Sequence, residues 1–177
     1  MNGSPVFDRF RRDHVRVLGQ LDALERAIDG GVPLRADALA ELDALVRLLR
    51  VQFATHVAAE ERALYPALAE ALPETAPGLE PLEAEHSEMR SMLARLQGLL
   101  SLPASRGRDE QVVVQSRDLV DLLRIHVRKE EHAVFDVAAR VLTAPELARL
   151  AERCTREALT TEPEYESGDD AGKGLTT

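Results

Sequence analysis

The strongest constraint on this chain is that its sequence is written twice. Placed one on the other, HVAAEERALYPALAEAL, beginning at His56, and HVRKEEHAVFDVAARVL, beginning at His126, agree at the His, at both Glu residues and at the apolar positions that follow. A second register of nearly equal offset sets His14 on His86, then Val17 on Met89, Leu21 on Leu93, Leu24 on Leu96 and Ile28 on Leu100. Both repeats keep the three-to-four-residue spacing of a helix face rather than the alternation of a strand. A helical hairpin has been doubled. Its polar residues are held in the same register as its core residues.

The predicted fold class is all-α: an up-down-up-down four-helix bundle with a short fifth helix at the C-terminal end. Strand signals are nearly absent, and Ala, Leu, Glu and Arg, all strong helix formers, fill the stretches between Gly and Pro. Ser4-Pro5 reads as N-cap and first helical residue of helix one, whose inner face is Phe7, Phe10, His14, Val17, Leu21, Leu24 and Ile28. Gly30, Gly31 and Pro33 stop it. Helix two starts near Asp37 and runs Leu42, Leu45, Leu49, Phe53, His56, Glu60, Ala63, with a kink expected at Pro66 and an end near Leu72. After a loop through Pro73, Pro77 and Gly78, helix three is expected from about Pro81, reading Leu82, His86, Met89, Leu93, Leu96, Leu100. Helix four, over 109–142, reads Leu119, Leu122, His126, Glu130, Ala133, Val137, Val141. Thr143 and Glu146 make a capping box for the fifth helix, which ends near Ala158 or Leu159. The domain therefore spans 4–159, and 160–177 is expected to be a disordered acidic tail.

Charge and cysteine content narrow the setting. The net charge of −9 argues against nucleic acid as partner, since phosphate binding needs a basic surface. No apolar run reaches the length of a membrane span, so no membrane partner is expected. The lone Cys154 has no partner for a disulfide, which favours a reducing, cytoplasmic location. There is no phosphate loop, dinucleotide fingerprint or Ser-His-Asp order to support a hydrolase or nucleotide enzyme.

The chemistry lies in six side chains. With about 100° between successive residues, His56 and Glu60 point the same way as Phe53 and Leu49, and His126 and Glu130 share the face of Leu119 and Leu122. His14 and His86 stand in the core stripes of helices one and three. A single His on an apolar stripe is more often a hydrogen-bonded core residue than a ligand. Four imidazoles and two carboxylates converging on one bundle axis are another matter, because an unpaired buried carboxylate costs several kcal/mol or protonates. Divalent metal removes that penalty, while a metal-free polar network within a purely structural bundle is the bland alternative. The N/O donor set without thiolate suits Fe, Mn or Zn. Six side chains are too many for one tetrahedral zinc, so two ions sharing the carboxylates are expected.

In the order His14, His56xxxGlu60, His86, His126xxxGlu130, followed by EExxLYP and EExxVFD, the chain resembles the haemerythrin-like, or HHE cation-binding, family. The resemblance implies a non-haem di-iron centre, with His14, His56, His86 and His126 as terminal ligands and Glu60 and Glu130 as bridges. It further implies two iron ions as cofactor, with Mn or Zn as possible substitutes, and O2, NO, H2O2 or iron as the species bound or sensed. An enzyme using the same centre, for peroxide decomposition or Fe(II) oxidation, is the alternative. Oxygen-carrying haemerythrins have a second His one turn after the third-helix His, where this chain has Arg90, and end in HxxxxD where this chain has HxxxE. Those departures turn the expectation from reversible oxygen carriage towards sensing, iron handling or peroxide chemistry. No protein partner is legible.

The remaining polar neighbours have readings of their own. Asp13 and Glu85, each preceding a ligand His, are either acceptors that orient an imidazole or solvent-facing acids, and the second reading is preferred. Glu61 and Glu131 are read as surface ion-pair residues, Tyr65 and Phe135 as packing at the bundle end, and Met89 and Met92 as gap-fillers. Arg90 is expected to close the pocket or pair with a carboxylate, and His132 to be exposed.

Overall fold

A computed structural model describes residues 5–160, and among these there is no strand. Helix α1 spans Pro5–Ile28 and is stopped by Gly31, whose φ of 77° only glycine adopts without strain. Helix α2 spans Ala36–Ala59, passes through one wide π-helical turn at Glu60–Leu64, and continues as α3, Tyr65–Ala71. Helix α4 covers Ala76–Leu100. Helix α5, Arg106–Lys129, passes through a second π-helical turn at Glu130–Phe135 into α6, Asp136–Val141. Helix α7, Ala144–Thr160, packs across α1, α2 and the first π turn. The four long rods pack α1 on α2, α2 on α4, α4 on α5 and α5 on α1, a closed four-helix ring with short connections.

The ends show what the sequence signals did. Ser105 caps α5, its hydroxyl accepting from the Arg108 N–H at 3.2 Å, so that helix begins three residues before the expected Asp109. Glu146 takes both the Thr143 N–H, at 2.7 Å, and the Thr143 hydroxyl, the expected capping contact of α7. Helix α4 starts at Ala76 rather than at Pro81. Pro77 falls in its first turn, where a missing N–H is no loss, and a short 3₁₀ turn at Pro73–Thr75 leads in. The Ser4 cap and the tail beyond Thr160 lie outside the described residues.

The π turns correct the expected geometry. A kink at Pro66 was the expectation, yet both halves widen at the same repeat position, and the second has Asp136 where the first has Pro66. Proline therefore does not cause the feature. The Arg62 carbonyl, which Pro66 cannot satisfy, accepts from the Arg153 guanidinium of α7 at 2.6 Å. A π turn takes in an extra residue, so the inward face shifts by one beyond it. Ala133 is exposed and Val137 and Val141 only half-buried, while Val134, Phe135, Ala138 and Leu142 are buried in their place.

Two apolar clusters fill the bundle. One holds Leu21, Leu24, Leu42, Leu49, Leu93, Leu96 and Leu119; the other holds Phe7, Phe10, Leu64, Leu68, Leu82 and Phe135. Between them lies a layer of buried polar residues, where both π turns begin.

Candidate metal centre

The structure brings all six expected residues into that layer. His14, His86 and His126 are buried, His56 has a side chain 10% exposed, and Glu60 and Glu130 are wholly enclosed. They form two overlapping groups, His14–His56–Glu60–Glu130 and Glu60–His86–His126–Glu130, in each of which the donor atoms lie within 4.8 Å of one another. Both glutamates belong to both groups.

Each glutamate joins the two halves of the repeat. Glu60 Oε1 lies 2.9 Å from His56 Nε2 on its own helix, and its Oε2 lies 3.5 Å from His86 Nε2. Glu130 Oε2 lies 3.4 Å from His126 Nε2 and 3.2 Å from His14 Nε2. The imidazoles meet in pairs, Nε2 to Nε2, at 3.0 Å for His14 and His56 and at 2.9 Å for His86 and His126.

The outer nitrogens face a second ring of carboxylates, which hydrogen-bond three of them. Glu131 lies 3.2 Å from His14 Nδ1, Glu61 3.0 Å from His86 Nδ1, Glu85 2.9 Å from His126 Nδ1 and Asp13 3.6 Å from His56 Nδ1. Glu61 and Glu131 are thus not merely surface ion-pair residues, and Asp13 and Glu85 are not simply solvent-facing acids. The pairing is crosswise at the π turns: Glu61 of the first half serves His86 of the second, and Glu131 of the second serves His14 of the first. Asp13 and Glu85 each serve a His of their own half. Cations back three of the four: Arg16 on Asp13, Arg90 on Glu61 and Lys129 on Glu85. Arg90 therefore pairs with a carboxylate, one of its two expected roles. His132 is exposed, as read from its position on the wheel.

This ring decides the tautomer. For His14, His86 and His126 a carboxylate at hydrogen-bond distance from Nδ1 accepts a proton there, which leaves the Nε2 lone pair directed inwards. Two such lone pairs facing each other at hydrogen-bond distance, beside two carboxylates, repel unless a cation sits among them. Hydrogen bonding within the chain does not resolve this, for both Glu60 oxygens and Glu130 Oε2 lack a hydrogen-bond partner among the described residues. A proton is the simplest cation that helps, and the carboxylates favour one on two of the imidazoles, His56 and His126. Burial opposes the charge on His56, yet the Glu60 carboxylate and Asp13 outweigh it and push the imidazole up to about 10. His126 is raised against its burial by Glu130 and Glu85. His86 is lowered, burial prevailing, with His126 opposing its charge. Burial also disfavours the Glu130 anion, but the neighbouring imidazoles of His126, His14 and His56 hold it well below the usual carboxylate range.

Sequence reasoning missed one participant. The Tyr65 hydroxyl donates to Glu130 Oε1 at 2.5 Å, and the ring stacks on His86 at 6.0 Å and 5°. Phe135, its repeat counterpart, stacks on His14 at 5.4 Å and 14°. Both rings pack the end of the bundle and wall the centre, but only one has a hydroxyl. The signal was present: at aligned positions one half reads Leu-Tyr and the other Val-Phe. Burial and the neighbouring carboxylates raise the Tyr65 phenol far above its ordinary value, so it stays protonated and remains a hydrogen-bond donor.

Fold and site together define a helical bundle with a buried His/Glu centre built to take cations. The model of the Hemerythrin HHE cation binding domain matches residues 6–138. The chain belongs to that family. Among curated proteins none matches it.

Proposed function

We propose that the chain is a non-haem di-iron protein, holding two iron ions through His14, His56, Glu60, His86, His126 and Glu130 and using them to bind or sense O2, NO, peroxide or iron itself. One observation carries this reading: two pairs of opposed imidazole nitrogens around two shared carboxylates, three of whose four oxygens find no hydrogen bond among the described residues. The donor set fits the group. It is nitrogen and oxygen only, with no thiolate, and both glutamates reach both halves, as bridging carboxylates must. Iron so held would supply one- and two-electron chemistry towards small oxygen and nitrogen species.

The chain's own residues set the terms of that chemistry. Glu61, Glu85 and Glu131 orient the imidazoles of His86, His126 and His14 and raise their basicity through Nδ1, and Asp13 faces His56 at 3.6 Å. Phe10 and Phe53 meet His56 and His86 edge-on and, with Phe135 and Tyr65, give the centre aromatic walls. Tyr65 holds one oxygen of Glu130 and keeps a proton at that atom. No described helix is long and apolar enough to cross a membrane. We place the protein in a reducing cytoplasm, where Cys154, buried and with its thiol pushed up to about 11 by that burial, stays unreactive.

The second reading, an enzyme that decomposes peroxide or oxidises Fe(II), uses the same residues and is favoured by the Tyr65 hydroxyl, a hydrogen-bond donor beside the centre. Metal analysis and an optical spectrum of aerobically purified protein test both. Two irons per chain, one for each donor group, with an oxo-bridge absorption band, are expected. The variant Glu60→Ala/Glu130→Ala should lose that stoichiometry, and retention of two irons would refute the ligand set. Peroxide addition then separates the readings: rapid oxygen evolution favours the enzyme.

A further inference from the structure

On the outer side of His56, between α1 and α2, lies a cleft of about 430 Å³ lined by Arg9, Arg12, Asp13, Arg16, Gln52 and Thr55, with Val17 and Val51 as its apolar surfaces. The size falls in the range of small-molecule sites. Its lining is rich in donors. Three guanidinium groups stand at successive turns of one edge of α1, and the Gln52 carbonyl accepts from Gln20 at 2.7 Å, which leaves the Gln52 amide N–H groups free to donate. The single carboxylate, Asp13, is occupied: it pairs with Arg16 at 2.9 Å and faces His56. Arg9 and Arg12 make no ion pair with the described residues, although the field of Arg9 reaches Asp13 and helps hold its carboxyl down. A concave, donor-lined pocket with two uncommitted guanidinium groups matches a planar or tetrahedral oxyanion, which arginine grips through paired N–H groups. The valine side chains add a surface for a short carbon skeleton.

We propose that this cleft is a binding site for a small phosphate-bearing molecule, its phosphate held by Arg9, Arg12 and Arg16 and its carbon portion resting on Val17 and Val51. The site borders the metal centre at His56, which lines its inner side, and requires no iron. An anion here draws Arg16 between two partners, the phosphate and Asp13, the carboxylate beside His56. Occupancy would therefore be felt at the outer edge of the centre.

The test is calorimetric titration of the full chain, both as purified and after chelation, with inorganic phosphate, glycerol 3-phosphate and glycerol at constant ionic strength. Saturable binding of both phosphates is expected at about 1 mM or tighter, with glycerol and added chloride inert. Glycerol 3-phosphate should bind more tightly than phosphate alone. Arg9→Gln/Arg12→Gln should weaken binding by about tenfold for each guanidinium lost. Arg95→Gln/Arg117→Gln, an equal charge change on exposed positions of α4 and α5, should leave it intact. Amide shifts on phosphate addition should cluster at Gln52, Thr55 and the α1 arginines. Non-saturable heats, equal response to chloride, equal losses in both variants, or shifts mapping elsewhere would each overturn the site. The chelated arm gives its answer even if the protein takes up no iron, so the two readings fail separately.

Discussion

Tyr65→Phe removes one atom from the centre of the molecule. Tyr65 is buried, and its hydroxyl donates to an oxygen of the enclosed Glu130. The aromatic volume is kept, and the repeat itself shows that Phe suits such a place, since Phe135 stacks on His14 as Tyr65 does on His86. Packing therefore contributes little to the change. What is lost is a hydrogen bond to a charged group, about 1.5–3 kcal/mol, and Glu130 Oε1 joins the oxygens with no partner. In a chain of 177 residues about 2 kcal/mol corresponds to a fall in Tm of roughly 4–8 °C. Thermal and urea unfolding of chelated protein, followed by circular dichroism, gives the number. The drop should shrink in iron-loaded protein, where a cation supports the same carboxylate. A metal-free loss below about 0.5 kcal/mol, the size of an ordinary surface change, would refute the view that Tyr65 sustains Glu130.

Two further expectations concern protons. His56, raised from 6.5 to about 10, contributes stability that is complete below 6.5 and disappears as pH climbs through 10. Glu130 is depressed, so its contribution is present above the ordinary carboxylate value and is lost as pH falls through its lowered one. His86, also lowered, must take up a proton at a cost below 6.5. The urea midpoint of chelated protein should thus peak near neutrality and decline from pH 7 to 10; a midpoint that rises over that interval would contradict the assignment of His56. Metal ligation needs neutral imidazole, so loading at pH 7 should expel at least the His56 proton. Calorimetry in buffers of different ionisation enthalpy measures that release, and a heat independent of buffer would show that His56 carries no proton to lose.

How far the sequence could be read depended on the length of the contact. The inward faces of α1 and α4 were legible residue by residue, because a helix of regular pitch turns spacing into direction. The six core donors were legible for the same reason, and for their repetition. The π turns were not. Nothing in the spacing of EERAL or EEHAVF marks a turn that takes in an extra residue, so the stripe drawn through Ala133, Val137 and Val141 fell one position short. The capping residues Ser105 and Glu146 are local signals, and the Thr143–Glu146 pair is the one that marks its helix start by spacing.

The sequence by itself determined the doubled hairpin, the rods that form it and the set of imidazoles and carboxylates turned towards one axis, since each follows from periodicity within a single helix. Only the tertiary structure decided how those groups are supported: Glu61 crossing to His86, Glu131 crossing to His14, and the Tyr65 hydroxyl reaching Glu130 across the bundle. These contacts join residues from different helices, and their partners depend on how the rods pack and where each π turn shifts the register. A helical wheel carries information about direction within one helix and none about which neighbour stands opposite.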